Sequence, residues 1–338
     1  MRQARAGTTL ATEIAGIPDA VARLLEPASR AAIEREGAAL RALDPRLVAT
    51  IARGSSDHAA LYLKYAIEIG LGLPVASLGP SVASVYGRAL RLDGAVALAI
   101  SQSGSSDDIV VAAGAARGGG ARTVGLLNTL DSPLGRAVEA TIDIAAGDER
   151  AVAATKSYVA TVAAGLALVA AWGGDEALAR DLDHLPRRLS DALAADATGL
   201  ADALAEDGTT FVLGRGCAFA LAEEAALKRM EVVRLPALAY SGAEVLHGPA
   251  TLVERGARVV SFAERAGPGM AATHERLAEQ GARLSLLGEI APQPAAAHPL
   301  VAPLPWIAAF YAAAERAARM RGVDPDRPPH LAKETVTR

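Results

Sequence analysis

The 338-residue chain has one cysteine, Cys217, so it can form neither an internal disulfide nor a multi-cysteine metal site. That is compatible with a reducing cytoplasm, the expected compartment. Aromatic residues make up only 4%, which rules out stacking on sugars or bases as a widespread device. A strong charge of either sign is also missing. The net charge of −4 offers nothing to nucleic acid or to an anionic membrane, and neither is an expected partner. No uncharged apolar run reaches the length of a membrane span; the longest, Val159 to Trp172, stops short and is rich in alanine. Met1 to Ile14 contains arginines but no apolar core of signal-peptide length. What is left is a globular composition, 51% hydrophobic and 21% charged, at a length of about two domains.

One stretch stands out chemically. Ala95-Val96-Ala97-Leu98-Ala99-Ile100 is apolar throughout, as a buried parallel strand is. Ser101-Gln102-Ser103-Gly104-Ser105-Ser106 follows, and then Asp107 to Ala113, which reads as a helix opening. A strand-to-helix turn aims backbone N–H groups and the positive end of a helix dipole at one point. Serine hydroxyls add neutral donors, and Gly104 allows close approach of the backbone to a ligand. The stretch therefore predicts a phosphate cradle without a Walker lysine. A plain Ser/Gly-rich surface turn, with Ser105 or Ser106 as helix cap, fits the hexamer equally well.

Along the chain, residues 1–40 read as amphipathic helices, with Thr8 or Thr9 as a cap and Pro18 and Glu26-Pro27 as boundaries. Strands are expected at Leu47–Ala52, Pro74–Leu78, Ala95–Ile100, Thr123–Asn128, Thr141–Ile144 and Thr210–Leu213. Helices are expected from Ala59 to about Ile69, from Asp107 to about Arg117, and from the Val152–Ser157 block to Trp172. This alternation implies a parallel sheet covered on both faces. Three short matches share an offset of about 162 residues: Arg53-Gly54 with Arg215-Gly216, Gly94-Ala95 with Gly256-Ala257, and Gly120-Ala121-Arg122 with Gly281-Ala282-Arg283. They indicate a duplication whose second copy carries Ala263-Glu264-Arg265 in place of Ser101-Gln102-Ser103. The expected organisation is a helical segment at 1–40, a first domain at 41–180, a second at 200–325, and a C-terminal tail at 326–338. Glu224, Lys228 and Glu231 fall at i, i+4 and i+7 on one helical face. By themselves they fit a solvated ion-pair stripe as well as a proton-transfer site.

Five blocks occur in order: Arg53-Gly54-Ser55-Ser56; Ser101-Gln102-Ser103-Gly104; Val152-Ala153-Ala154-Thr155-Lys156; Leu227 to Glu231 with Glu244 to Pro249; and His330-Leu331-Ala332-Lys333. Together they resemble the sugar isomerase (SIS) phosphosugar family in tandem, and in particular the isomerase domain of glutamine–fructose-6-phosphate amidotransferases. The Arg53–His58 opening and the Ala151–Ser157 block look more like stand-alone type II glucosamine-6-phosphate deaminases. The resemblance implies an α/β fold of two flavodoxin-like SIS domains, each a parallel sheet sandwiched by helices. It implies Glu231 as the base moving a proton between C1 and C2 of the sugar, with Lys228 stabilising developing charge or tuning Glu231. It implies His247, contributed by a neighbouring subunit, for ring opening. Lys333 would contact the sugar or form a Schiff base. Ser55, Ser56, Val152 and Ala154 would line the sugar, and Ser101, Gln102, Ser103 and Ser106 would hold the phosphate. Arg53, His58 and Lys156 are expected to be structural.

Two departures matter. The family has serine where this chain has Ala154 and threonine where it has Ser106. No glutaminase cysteine is present, so ammonia from glutamine is not expected. The expectation is an enzyme, a glucosamine-6-phosphate deaminase giving fructose 6-phosphate and ammonia, without metal or cofactor, working as a homodimer on an amino-sugar phosphate. The alternatives are an aminotransferase-like isomerase without a glutaminase, a deglycase for another amino-sugar phosphate, or a non-catalytic phosphosugar sensor.

Overall fold

The computed structural model describes residues 7–333. Apolar runs ending in turns form parallel strands in two separate sheets. The first holds β1 (Leu47–Ile51), β2 (Val75–Ser77), β3 (Ala95–Ser101), β4 (Arg122–Leu127) and β5 (Ala140–Asp143). The second holds β6 (Thr210–Gly214), β7 (Ala237–Ser241), β8 (Arg258–Ser261) and β9 (Arg283–Leu286). Their orders are β2-β1-β3-β4-β5 and β7-β6-β8-β9, so the second repeats the first without its last edge strand. All pairings are parallel, with Val48 of β1 opposite Val96 of β3 and Phe211 of β6 opposite Val259 of β8. The order is that of flavodoxin-like sheets, which place ligands beyond the carboxyl ends of their strands. The chain thus has the α/β fold of two helix-flanked parallel sheets.

β3 shows why its sequence has no polar face, since all of its residues are buried. Val96, Leu98 and Ile100 join a core that runs through both halves, while Ala95, Ala97 and Ala99 face a smaller cluster against the Asp107–Gly118 helix. The first core also contains Tyr62, Val159, Leu221 and Phe310, so the two sheets are joined by one continuous apolar interior. In particular, the helix after β1 (Ser55–Leu71) packs on the helix after β6 (Cys217–Lys228). Both follow a glycine with the same unusual backbone, Gly54 at φ 56°, ψ −134° and Gly216 at φ 58°, ψ −134°. Only glycine occupies that region readily, which explains why the duplicated Arg-Gly pair kept its glycine.

Three local expectations change. The first long helix begins at Ser55 rather than Ala59, because Gly54 takes the N-cap position without a side-chain cap. Ser55 and Ser56 therefore sit in a helical first turn. The 224–231 stripe is not one regular α-helix: Cys217–Lys228 runs into a π-helical turn, Arg229–Val233. Arg229 is fully buried there and donates to the carbonyls of Gly208 and Glu206 at 3.1 and 3.0 Å. Widened turns of this kind occur often at functional sites. Finally, Lys156–Gly173 is long and apolar enough to cross a bilayer by length and composition, yet most of it is buried inside the protein. Helices Pro27–Leu43 and Ser55–Leu71 cover it, so here it is a core helix. Ahead of these elements, Thr8 caps Thr9–Ala15 by accepting from the Ala11 N–H at 3.0 Å.

Candidate active site

The carboxyl ends of β1 and β3 open into a cavity of about 380 Å³. Ser101, the last residue of β3, accepts a hydrogen bond from the Gly104 N–H at 3.0 Å. Gly104 has φ 65°, and a Cβ there would come within 2.2 Å of the Ser132 hydroxyl, so the turn requires glycine. The Ser103 and Ser105 hydroxyls lie 2.7 Å apart. Ser106 is the N-cap residue of Asp107–Gly118 but makes no side-chain capping bond, and it lines the cavity. The loop thus presents hydroxyls at a helix N-terminus, as an anion site needs. Arg53 lies on the same wall and pairs with buried Asp108 at 3.0 Å. Its guanidinium balances an acid that would otherwise oppose an anion in the cradle.

The opposite wall comes from the second half. Lys228 is 1% exposed, and its ammonium donates to Ser55 Oγ at 3.0 Å and pairs with Glu231. It also lies 3.5 Å from Glu224 Oε1. Glu224 is fully buried, accepts from the Tyr311 hydroxyl at 3.0 Å and pairs with His58 Nδ1 at 2.9 Å. Burial alone would lower the Lys228 pKa, but Glu224 and Glu231 outweigh it and hold the ammonium above its ordinary value. A solvated ion-pair stripe would be exposed, whereas Glu224 and Lys228 are interior. Lys228 and Glu231 both line the cavity, and of the three only Glu231 has part of its side chain open.

The C-terminal tail forms the third wall. Leu331, Ala332 and Lys333 line the cavity, and Lys333 Nζ bonds Glu149 Oε2 at 2.9 Å. Sequence reasoning passed over Glu149. Its buried carboxylate accepts from the Thr155 and Ser157 N–H groups at 3.1 and 3.0 Å and from the Ser157 hydroxyl at 2.6 Å. Burial pushes its pKa up, but the Lys333 ammonium and the Ser157 bonds outweigh that and hold it below the usual carboxylate range. An acid a few residues ahead of a helix start, at Lys156, was the signal that could have found it.

The geometry sorts the expected residues. Ser55, Ser56, Ser101, Gln102, Ser103, Ser106, Val152, Ala154, Lys228, Glu231 and Lys333 all line this one cavity. His247 does not line it; it is exposed on the short 3₁₀ turn Glu244–His247. His58 and Lys156 also lie outside the cavity lining, His58 on Glu224 and Lys156 Nζ on the Asp148 carbonyl at 2.7 Å. Among the described residues no group of three or more His, Cys, Asp or Glu is placed to hold a metal ion.

Comparison with known proteins gives the same frame. Residues 44–171 match the SIS domain family model. The chain is 34% identical over 335 residues to the glutamine–fructose-6-phosphate aminotransferase [isomerizing] of Symbiobacterium thermophilum, covering 88% of this chain and 52% of that protein. It is 35% identical over 326 residues to the enzyme of that name from Thermus thermophilus, covering 87% of this chain and 53% of the relative. The chain therefore spans about half the length of the curated relatives it matches. The crystal structure of a candidate phosphosugar isomerase from Silicibacter pomeroyi DSS-3 matches with a TM-score of 0.89 and 45% identity, over 95% of this chain and 100% of that one. The fold alone is shared with a glucosamine-6-phosphate deaminase from Thermotoga maritima, at TM-score 0.80 and 23% identity over 98% and 100% of the two chains. With matching sheets, a serine cradle at β3 and relatives aligned along most of its length, the chain belongs to the SIS domain family.

Proposed function

We propose that this protein is an amino-sugar-phosphate isomerase that works as a glucosamine-6-phosphate deaminase, releasing fructose 6-phosphate and ammonia. The observation that carries the reading is the meeting of Glu231, Lys228 and Lys333 with the serine cradle around one cavity. The names of its relatives, an isomerising aminotransferase and a candidate phosphosugar isomerase, support the substrate class. The sugar phosphate sits in the Ser101–Ser106 turn, held by hydroxyls and the helix N-terminus. His247 of the neighbouring subunit opens the ring. Glu231 takes the proton from C2 and returns it to C1, which needs a carboxylate on one face of a planar intermediate. Lys228, kept charged by its two acids, stabilises the oxygen charge that develops. Water then adds at the C2 imine, its oxygen becoming the ketone oxygen, and ammonia leaves. The test is a panel of hexosamine 6-phosphates assayed for ammonia and ketose phosphate. Equimolar ammonia and fructose 6-phosphate from glucosamine 6-phosphate is the expected result. Tight binding of a sugar phosphate with ammonia from none of them overturns the enzyme reading in favour of a sensor.

A further inference from the structure

Glu224 is the interior acid of the site, and three elements hold it. Lys228 faces it from its own helix at 3.5 Å. Tyr311, on the helix Leu304–Met320, donates its hydroxyl to Oε1 at 3.0 Å. His58, near the start of Ser55–Leu71, meets Oε2 at 2.9 Å. A carboxylate only accepts, so His58 Nδ1 carries the proton in this bond. The contact crosses between the halves, since His58 belongs to the first and Glu224 to the second. Ser55, on the same helix as His58, crosses beside it and accepts from the Lys228 ammonium at 3.0 Å. His58 does not line the cavity; its place is one step behind it.

The Lys228 ammonium is shared among these groups. It lies against Glu231 and Ser55 and stands further from Glu224. Glu224 can leave it there because His58 and Tyr311 serve its two oxygens. An interior carboxylate deprived of one donor draws in the nearest that remains. That donor is Lys228, which would then move off Glu231. A carboxylate that loses a neighbouring ammonium holds its proton more tightly.

We infer that His58 is a positioning residue: through its bond to Glu224 it keeps the Lys228 ammonium on Glu231, and so sets how basic Glu231 is. The inference rests on the isomerase reading above for the use to which that basicity is put. The other charged groups nearby do not replace His58. Asp57 and Glu223 are acids that act on His58 itself, and Glu149 acts on Lys228. Tyr158, from Lys156–Gly173, stays protonated beside Glu224, and its buried hydroxyl has no hydrogen-bond partner among the described residues. Arg53 and Lys333 line the cavity with Glu231, and Arg234 lines an open recess that shares Glu231 and Leu331 with it.

The test reads the titration of Glu231 itself, by carbon NMR on protein labelled at the glutamate side-chain carboxyls. Its signal is the one lost in Glu231→Gln. His58→Ala is expected to raise the midpoint by about one pH unit, the low end of what an opposite charge does to a carboxylate. His58→Asn returns an N–H donor to the neighbourhood of Nδ1 and should bring the midpoint back. Tyr311→Phe removes the other donor to Glu224 while keeping the ring, and should also raise the midpoint. It covers the case in which the alanine variant does not fold. With glucosamine 6-phosphate, the acidic limb of the kcat profile should move up together with the midpoint. A histidine that merely ties the two halves together lowers Tm when replaced and leaves the midpoint in place. A midpoint that stays or falls in His58→Ala, or in Tyr311→Phe where the alanine variant does not fold, overturns the inference even if ammonia is still released. So does a rise that His58→Asn does not reverse. A midpoint that moves as expected in protein that turns over no sugar phosphate keeps the positioning role and defeats the isomerase reading instead.

Discussion

Ser101 and Ser103 show how one residue type can serve two ends. The Ser101 hydroxyl closes the turn onto the Gly104 N–H, and the Ser103 hydroxyl meets Ser105 while lining the cavity. Replacing both by alanine should raise KM for a sugar phosphate about 100-fold or more, since each hydrogen bond to a charged group contributes about 1.5–3 kcal/mol; an unchanged KM removes the cradle assignment. Glu231 carries the other residue-scale prediction. Glu231→Gln keeps shape and hydrogen bonding but removes basicity, so binding should survive while kcat falls roughly 10²–10⁴-fold. Unlabelled substrate run in D₂O should yield ketose deuterated at C1, and where transfer from C2 is internal, substrate deuterated at C2 should carry its label to C1 in H₂O. Near-normal kcat in folded Glu231→Gln protein would leave the carboxylate as an ion-pair partner of Lys228 only. Ser101 and Ser103 were legible because they end a readable apolar run, whereas the role of Glu231 came only from the family resemblance. Glu149 was not legible, because its partner Lys333 lies 184 positions away and no local pattern joins them.

Among the elements, the C-terminal tail has the most to say. It is fixed at two points. The Asp326 carboxylate accepts from the Thr9 and Leu10 N–H groups at 2.8 Å each, and Lys333 reaches Glu149. Residues 328–332 between these anchors pass over both the cavity and the recess beside it. Glu149→Gln removes the charge at one anchor while keeping an acceptor for Thr155 and Ser157. The expected outcome is a stability loss of about 1–3 kcal/mol together with a raised KM. Its pH dependence has a definite sign. A carboxylate whose folded pKa is depressed stabilises the fold above its unfolded value, near 4.3, and that contribution fades as pH falls through the folded value. The Tm difference between wild type and Glu149→Gln should therefore be full near neutrality and shrink below about pH 4; a constant difference would mean that charge at Glu149 is not what holds the tail. Strands β1, β3, β4 and β6 were visible as continuous apolar runs, as buried parallel strands are. β8 and β9 were not, since each is short and opens on an arginine, Arg258 and Arg283. The π turn after Lys228 had no local signature either, because buried Arg229 is satisfied by carbonyls some 20 residues upstream.

For the whole molecule, the proposed mechanism divides binding and proton chemistry between the two halves. The first supplies the cradle, the second supplies Lys228 and Glu231, and His247 stands exposed outside the cavity of its own chain. If a neighbouring subunit provides His247, mixing Glu231→Gln with His247→Ala protein should restore activity that neither has alone, to about one quarter of wild type at equal amounts and random pairing. No recovery after subunit exchange would place His247 outside the reaction. The matched glycine turns at Gly54 and Gly216 lead further. Each launches a helix, and the two helices bury their apolar faces against each other inside a single core. One half on its own would leave that face open to water, an exposed patch of the kind that drives association. A half-length forerunner of this fold would have existed as a pair of identical chains with two cradles. The second half now carries Ala263-Glu264-Arg265 where the first has Ser101-Gln102-Ser103, so the two halves offer only one cradle between them.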